Sequence, residues 1–121
     1  MSEAKIRAII KRPDEEFGHV TNISSSLRNL QNTVDGYIEA VDMWTPWGHA
    51  VIICNEEGLI KGLEPNCYLR GNFYVGTIIA LGADEEDFTD CPIPWADWKG
   101  IITEERRTYE QIKRTDQRDL R

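Results

Sequence analysis

The chain holds two histidines, His19 and His49, so any nucleophile that needs an imidazole beside it has little choice of partner. His19 falls in a predicted strand and His49 follows a turn glycine. No strand–turn–helix presents a serine as an elbow, and Ser24-Ser25-Ser26 reads as a helix cap. An acid–base pair drawn from Asp90, Glu57 or His49 is the remaining catalytic arrangement, and it requires one of them to lie in a pocket with a shifted pKa. For zinc, His49, Cys54, Cys67 and Cys91 are the available soft ligands, but none shows the Cys-x2-Cys or His-x3-His spacing of a metal site. The run Asp84-Glu85-Glu86-Asp87 lacks the alternating ligands, turn glycine and distant glutamate of a calcium loop. It reads either as a solvated loop or as a protein-contact surface that imitates a phosphate track. Neither glycine-rich phosphate cradle is present. Binding is therefore expected rather than catalysis, with no cofactor and no metal.

The four tryptophans carry more information. Trp44 and Trp47 flank Pro46, and Trp95 and Trp98 stand about one helical turn apart. Indole rings grip flat partners, whether a base or a protein hot spot, and they also cap the open end of a sheet. Both readings stay open here. Arg12, Lys61 and Arg70 lie in or beside loops and supply charge for an anionic ligand. The expected ligand site gathers Trp47, Asn55, Glu57, Lys61, Asn66, Arg70, Trp95 and Trp98 from converging loops.

The elements that must position these residues follow from periodicity. Lys5 to Lys11 reads as a strand, Pro13 turns the chain, and His19 to Ile23 pairs back on it. A short helix follows, capped by the serine cluster and buried through Leu27, Leu30 and Val34. Tyr37 to Met43 alternates with neither face purely apolar, which places it near a sheet edge. Ala50 to Cys54 is an unbroken apolar run, the pattern of a strand buried on both faces. Asn55 to Gly58 reads as a hairpin turn with Gly58 at positive φ, and Leu59-Ile60-Lys61 as the returning strand. Gly62 to Gly71 carries many breakers and reads as an ordered loop. Phe73 to Leu81 is the last strong strand, with Gly76 marking a bulge or a close approach. Trp95 to Trp98 forms one helical turn after Pro94, and Thr103 caps a final helix reaching about Lys113. Residues from Thr115 onward are expected to be mobile.

These elements make an α+β fold: a small mixed, mostly antiparallel sheet with one short helix packed on it and a C-terminal helix. The expected organisation is a single domain over 1–103, followed by the helix and tail of 104–121. A net charge of −7 disfavours direct nucleic-acid binding. Residues 104–121 hold six basic and five acidic side chains, so the acidity is concentrated in the body before them. An odd count of three cysteines is a poor disulfide framework. With no signal-like N-terminus and no membrane-length apolar run, a cytoplasmic protein is expected, inside a bacterial host cell on the resemblance below.

One set of motifs points further. Gly36-Tyr37-Ile38-Glu39-Ala40-Val41, Ile53-Cys54-Asn55-Glu56-Glu57-Gly58, Gly62-Leu63-Glu64-Pro65-Asn66, and Gly76-Thr77 with Ala80-Leu81-Gly82-Ala83-Asp84 occur together in this order. The combination resembles a small family of phages, mobile elements and Gram-positive bacteria that is classed as a domain of unknown function. Trp44 to Trp47 and the helix beyond Glu104 look like additions to its pattern. The resemblance implies a compact α+β fold and a phage-type setting, in which small non-catalytic proteins counter host defence. The leading expectation is a homo-oligomer that sequesters a small anionic signalling nucleotide. The alternatives are an acidic inhibitor of a host defence protein, a small enzyme, or a structural protein of the phage particle.

Overall fold

The computed structural model describes the backbone of residues 4–119 and the side chains of residues 4–114. Its centre is an antiparallel sheet in the order β2-β1-β7-β4-β3, with a short β8 on β7. The strands are β1 (Lys5–Lys11), β2 (His19–Ser24), β3 (Ile38–Thr45), β4 (Gly48–Asn55), β7 (Ile78–Ala83) and β8 (Phe88–Thr89). A separate hairpin pairs β5 (Pro65–Leu69) with β6 (Asn72–Val75). Helices α1 (Leu27–Val34) and α2 (Trp95–Asp119) complete the α+β fold.

The three central strands are covered on both faces, which is why their sequences are continuous apolar runs. On one face Ala8, Ile10, Val51, Ile53, Ile79 and Leu81 pack against Leu30 and Val34 of α1. On the other, Ile9, Ile52, Ile78 and Ala80 meet Trp98 and Ile102 of α2 and Leu69 and Tyr74 of the hairpin. Strand β3 is the edge that its two-faced pattern implies. The Ser26 hydroxyl caps α1 by accepting from the Asn29 amide at 3.2 Å. Leu27, one turn before the buried pair, is left 58% exposed.

Five sequence expectations are corrected. Leu59 to Lys61 is not a returning strand: the Lys61 amide donates to Glu57 and Gly62 to Leu59, so the segment closes on itself as turns. Gly58 supplies no positive φ there. It is needed because a Cβ would come within 2.8 Å of Val75, while Gly62 carries the positive φ of +69°. The presumed loop 62–71 contains β5, which returns through Arg70 and Gly71, both at positive φ as a tight two-residue hairpin turn requires. Phe73 to Leu81 is two strands, because Gly76 at φ +71° sends β6 to the hairpin and β7 to the main sheet.

The last correction concerns the C-terminal segment. Trp95 to Trp98 and the region after Thr103 form one helix, because Trp98 and Ile102 continue a single buried stripe across Gly100. The Thr103 hydroxyl donates to the Lys99 carbonyl within the helix instead of capping a new one. Helix α2 thus runs across the expected boundary at 103/104. Its backbone stays helical through Asp119, and the remainder of the expected mobile tail, 120–121, lies outside the described residues.

Candidate functional site

Strand β1 alternates Arg7, Ile9 and Lys11 towards the hairpin and α2. The apolar phase therefore ends on a lysine, only 3% exposed, at the boundary of the core. Its ammonium donates to Asn66 Oδ1 at 2.8 Å. The Asn66 amide donates in return to the Lys11 carbonyl at 2.8 Å and to the Gly76 carbonyl at 2.7 Å. Asn66 occupies the irregularity between Pro65 and Cys67 in β5, where an extra residue can turn its side chain inwards. One carboxamide thus joins the main sheet, the hairpin and the link between β6 and β7.

Above this latch opens a cleft of about 200 Å³. Lys11, Asn66 and Cys67 line it, together with Ile102, Arg106 and Tyr109 of α2. Tyr68 and Phe73 of the hairpin complete the lining. The Tyr68 ring stacks on Tyr109 with centroids 4.4 Å apart and leans on Phe73 at 4.9 Å. Burial pushes the Lys11 pKa below the usual lysine value. The Arg106 charge pushes it the same way, against the opposing influence of Cys67, Glu15 and Asp14. Among the described residues no carboxylate forms an ion pair with Lys11. Arg106 forms a long ion pair with Glu16, at 3.5 Å. The cleft therefore presents two cations and an aromatic layer, the donor set of a site for a flat organic anion.

Of the residues expected at a ligand, the structure brings only Asn66 to this cleft. Asn55 is buried and committed elsewhere. Its amide donates to the Val34 and Asp35 carbonyls at the end of α1, and its oxygen accepts from the Glu57 amide. Glu57 and Lys61 sit in the turn that follows. Trp98 is fully buried, with its indole N–H donating to the Phe17 carbonyl at 2.7 Å. Trp95 is half-buried under the Lys99 ammonium, 5.5 Å from its ring centroid. Trp47 is exposed on the β3–β4 turn, next to Trp44, whose ring stacks on His49 at 3.9 Å. Arg70 ties the hairpin tip to its neighbours, its amide donating to Glu105 and its guanidinium to the Trp44 carbonyl. The tryptophans thus divide, Trp98 into the core and Trp44 and Trp47 onto the surface.

The other candidates stay apart. His49 pairs with Asp42 at 2.7 Å at the start of β4, Glu57 lies beyond its far end, and Asp90 accepts from the Arg7 amide. Among the described residues no three His, Cys, Asp or Glu side chains cluster as a metal site. Asp84 organises the acidic loop by accepting from the Glu86 and Asp87 amides, which hold its carboxyl below the ordinary range. Glu85, Glu86 and Asp87 around it are solvent-facing. No helix among the described residues is long and apolar enough to cross a membrane.

Sequence reasoning missed Lys11, Arg106, Tyr68, Phe73 and Tyr109. A lysine continuing the core-facing phase of Ile9 was the available sign for the first. The aromatic layer is assembled from elements far apart in the chain and leaves no local trace.

The cysteines give a direct test of this environment. All three are free, and burial pushes the Cys54 and Cys67 thiols up to about 11. At pH 8 only about one thiol in a thousand is then the reactive thiolate. Disulfide-exchange labelling of Cys54 and Cys67 in the folded protein at pH 8 should run at least about a hundredfold slower than in guanidinium. It should accelerate about tenfold per pH unit above that. Fast labelling of Cys67 at pH 8 would contradict the packing of the cleft.

Comparison with known proteins adds the family. Residues 6–96 match a family model described as "Domain of unknown function (DUF3846)". Searches of curated proteins and of solved structures found no match.

Proposed function

The chain belongs to the DUF3846 family, and we propose that it is a non-enzymatic binding protein that holds a small anionic signalling nucleotide in the Lys11 cleft. One observation carries this reading. A lysine 3% exposed shares a cleft with an arginine, has a neutral amide as its hydrogen-bond partner, and pairs with no carboxylate among the described residues. Burying an ammonium without a counter-charge costs stability, and a ligand anion is what offsets that cost. The exposed faces of Phe73 and Tyr109 suit the flat part of the same ligand. Sequestration also requires slow release, and a second copy covering Phe73, Tyr109 and the exposed Ile112 would close the mouth. In a phage-type setting the bound molecule would be a signal withheld from a bacterial defence enzyme.

A second reading has its own support. Ile60 is 86% exposed and Leu59 69%, on a turn that projects from the sheet. Such an exposed apolar turn suits docking on a host protein, and the acidic loop is a separate surface at the opposite end of the sheet.

Native mass spectrometry of the protein from its expression host separates the two readings. Cyclic and ADP-ribose-type nucleotides are added in turn. The expected result is a discrete oligomer carrying one small molecule per subunit or per interface, with the adduct lost in Lys11→Met. A bare monomer that ignores every nucleotide would sink the sequestration reading and favour a protein partner.

A further inference from the structure

The cleft proposed above as the binding site also constrains which part of a ligand it recognises. Its two cationic groups line one space, and Arg106 disfavours the charge on Lys11. A phosphate monoester, with close to two negative charges and three acceptor oxygens, relieves that repulsion and engages both donors. The carboxamide able to read a base edge is meanwhile occupied. Asn66 uses both amide hydrogens on the Lys11 and Gly76 carbonyls and its oxygen on the Lys11 ammonium. The Tyr68 and Tyr109 rings are already stacked on each other, with centroids 4.4 Å apart. What remains beside the cations is aromatic surface, with Phe73 and Tyr109 left 40% and 39% exposed. Stacking on such surface tolerates every base, because every base has a π-face.

We infer, on the strength of that binding reading, that the cleft takes nucleotides by the phosphate and stacks the base without reading its edge. Lys11 and Arg106 hold the phosphate, and the layer of Tyr68, Phe73 and Tyr109 accepts a purine or a pyrimidine.

Isothermal titration calorimetry of the full chain at low salt tests this with AMP, CMP, adenosine and inorganic phosphate. AMP and CMP should bind within about tenfold of each other, and adenosine and phosphate each more than about tenfold weaker than AMP. Arg106→Gln, on an exposed part of α2, should weaken AMP by about tenfold or more while leaving the thermal midpoint in place. Tyr109→Leu should weaken both nucleotides and leave phosphate unchanged. An AMP–CMP difference above tenfold, or adenosine binding as well as AMP, overturns the inference while ligand binding in the cleft stands. Phosphate binding as tightly as AMP leaves an anion site and removes the stacking. If AMP, CMP and phosphate all fail to bind, the inference falls, and the binding reading is decided separately by the mass spectrometry with cyclic and ADP-ribose-type nucleotides.

Discussion

Replacing Trp98 with alanine is expected to lower the unfolding free energy by about 3–5 kcal/mol, the range for truncating a large buried aromatic. The side chain is fully buried among Ile9, Ile52, Leu69 and Ile93, so its removal leaves a cavity that several elements would have to close together. It also strands the Phe17 carbonyl, to which the indole donates across 81 residues of sequence. That bond joins α2 to the connection between β1 and β2, so the loss should be global. A domain of this size has about 5–15 kcal/mol in total, and the variant should sit near its folding threshold. Trp98→Phe keeps most of the volume and loses the hydrogen bond, and should cost roughly half as much. Urea unfolding followed by circular dichroism measures both. A cost below about 1 kcal/mol for the alanine variant would mean that α2 is not seated on the sheet as described.

The Lys11–Asn66 latch gives the second large effect, with very unequal costs at its two ends. Asn66→Ala removes the acceptor of a buried ammonium and two donors to backbone carbonyls, and is expected to cost about 2–4 kcal/mol. Lys11→Met keeps the length of the side chain and removes the buried charge. Its expected stability change in the unliganded protein is within about 1 kcal/mol of zero or favourable. In the double variant, part of the Asn66→Ala cost should disappear, a coupling of about 1–3 kcal/mol. The same Lys11→Met change should abolish nucleotide binding. Unfolding curves and calorimetry on the four proteins of the cycle read both quantities. If Lys11→Met proved as destabilising as Asn66→Ala, the lysine would be a structural strut and the case for an anion in the cleft would lose its main support.

The pKa of Lys11 adds a direction to this experiment. Because folding lowers it, the unfolded chain holds that proton to higher pH than the folded one. The charge therefore weighs against the fold below its depressed pKa, and the penalty is relieved as pH rises towards the ordinary lysine value. The expected stability advantage of Lys11→Met should shrink over the same interval.

Much of the architecture was legible locally. The run Ala50 to Cys54 implied a strand covered twice, and it lies between α1 and the α2–hairpin layer. The mixed faces of Tyr37 to Met43 implied an edge, and β3 is one. Ser26 is the N-cap that its neighbourhood suggested. These features depend on a residue and its near neighbours, and so survive in the order of the letters.

What escaped the sequence involved chain reversals and distant partners. Gly76 in a run of β-forming residues reads as a flaw in one strand, yet its positive φ divides two sheets. Pro65-Asn66-Cys67 reads as loop, and becomes strand because β6 pairs with it after a two-residue turn. Asn55 and Asn66 sit in equally loop-like surroundings. Only the tertiary structure turns one into the cap of α1 and the other into the latch on Lys11. By itself the sequence determined the fold class, the double-sided core and the acidic balance, since these follow from periodicity and composition. The tertiary structure alone decided where a site can be. Lys11, Asn66, Arg106 and Tyr109 meet through long-range packing of β1, the hairpin and α2, and the burial that gives the lysine its meaning exists only once those surfaces have closed.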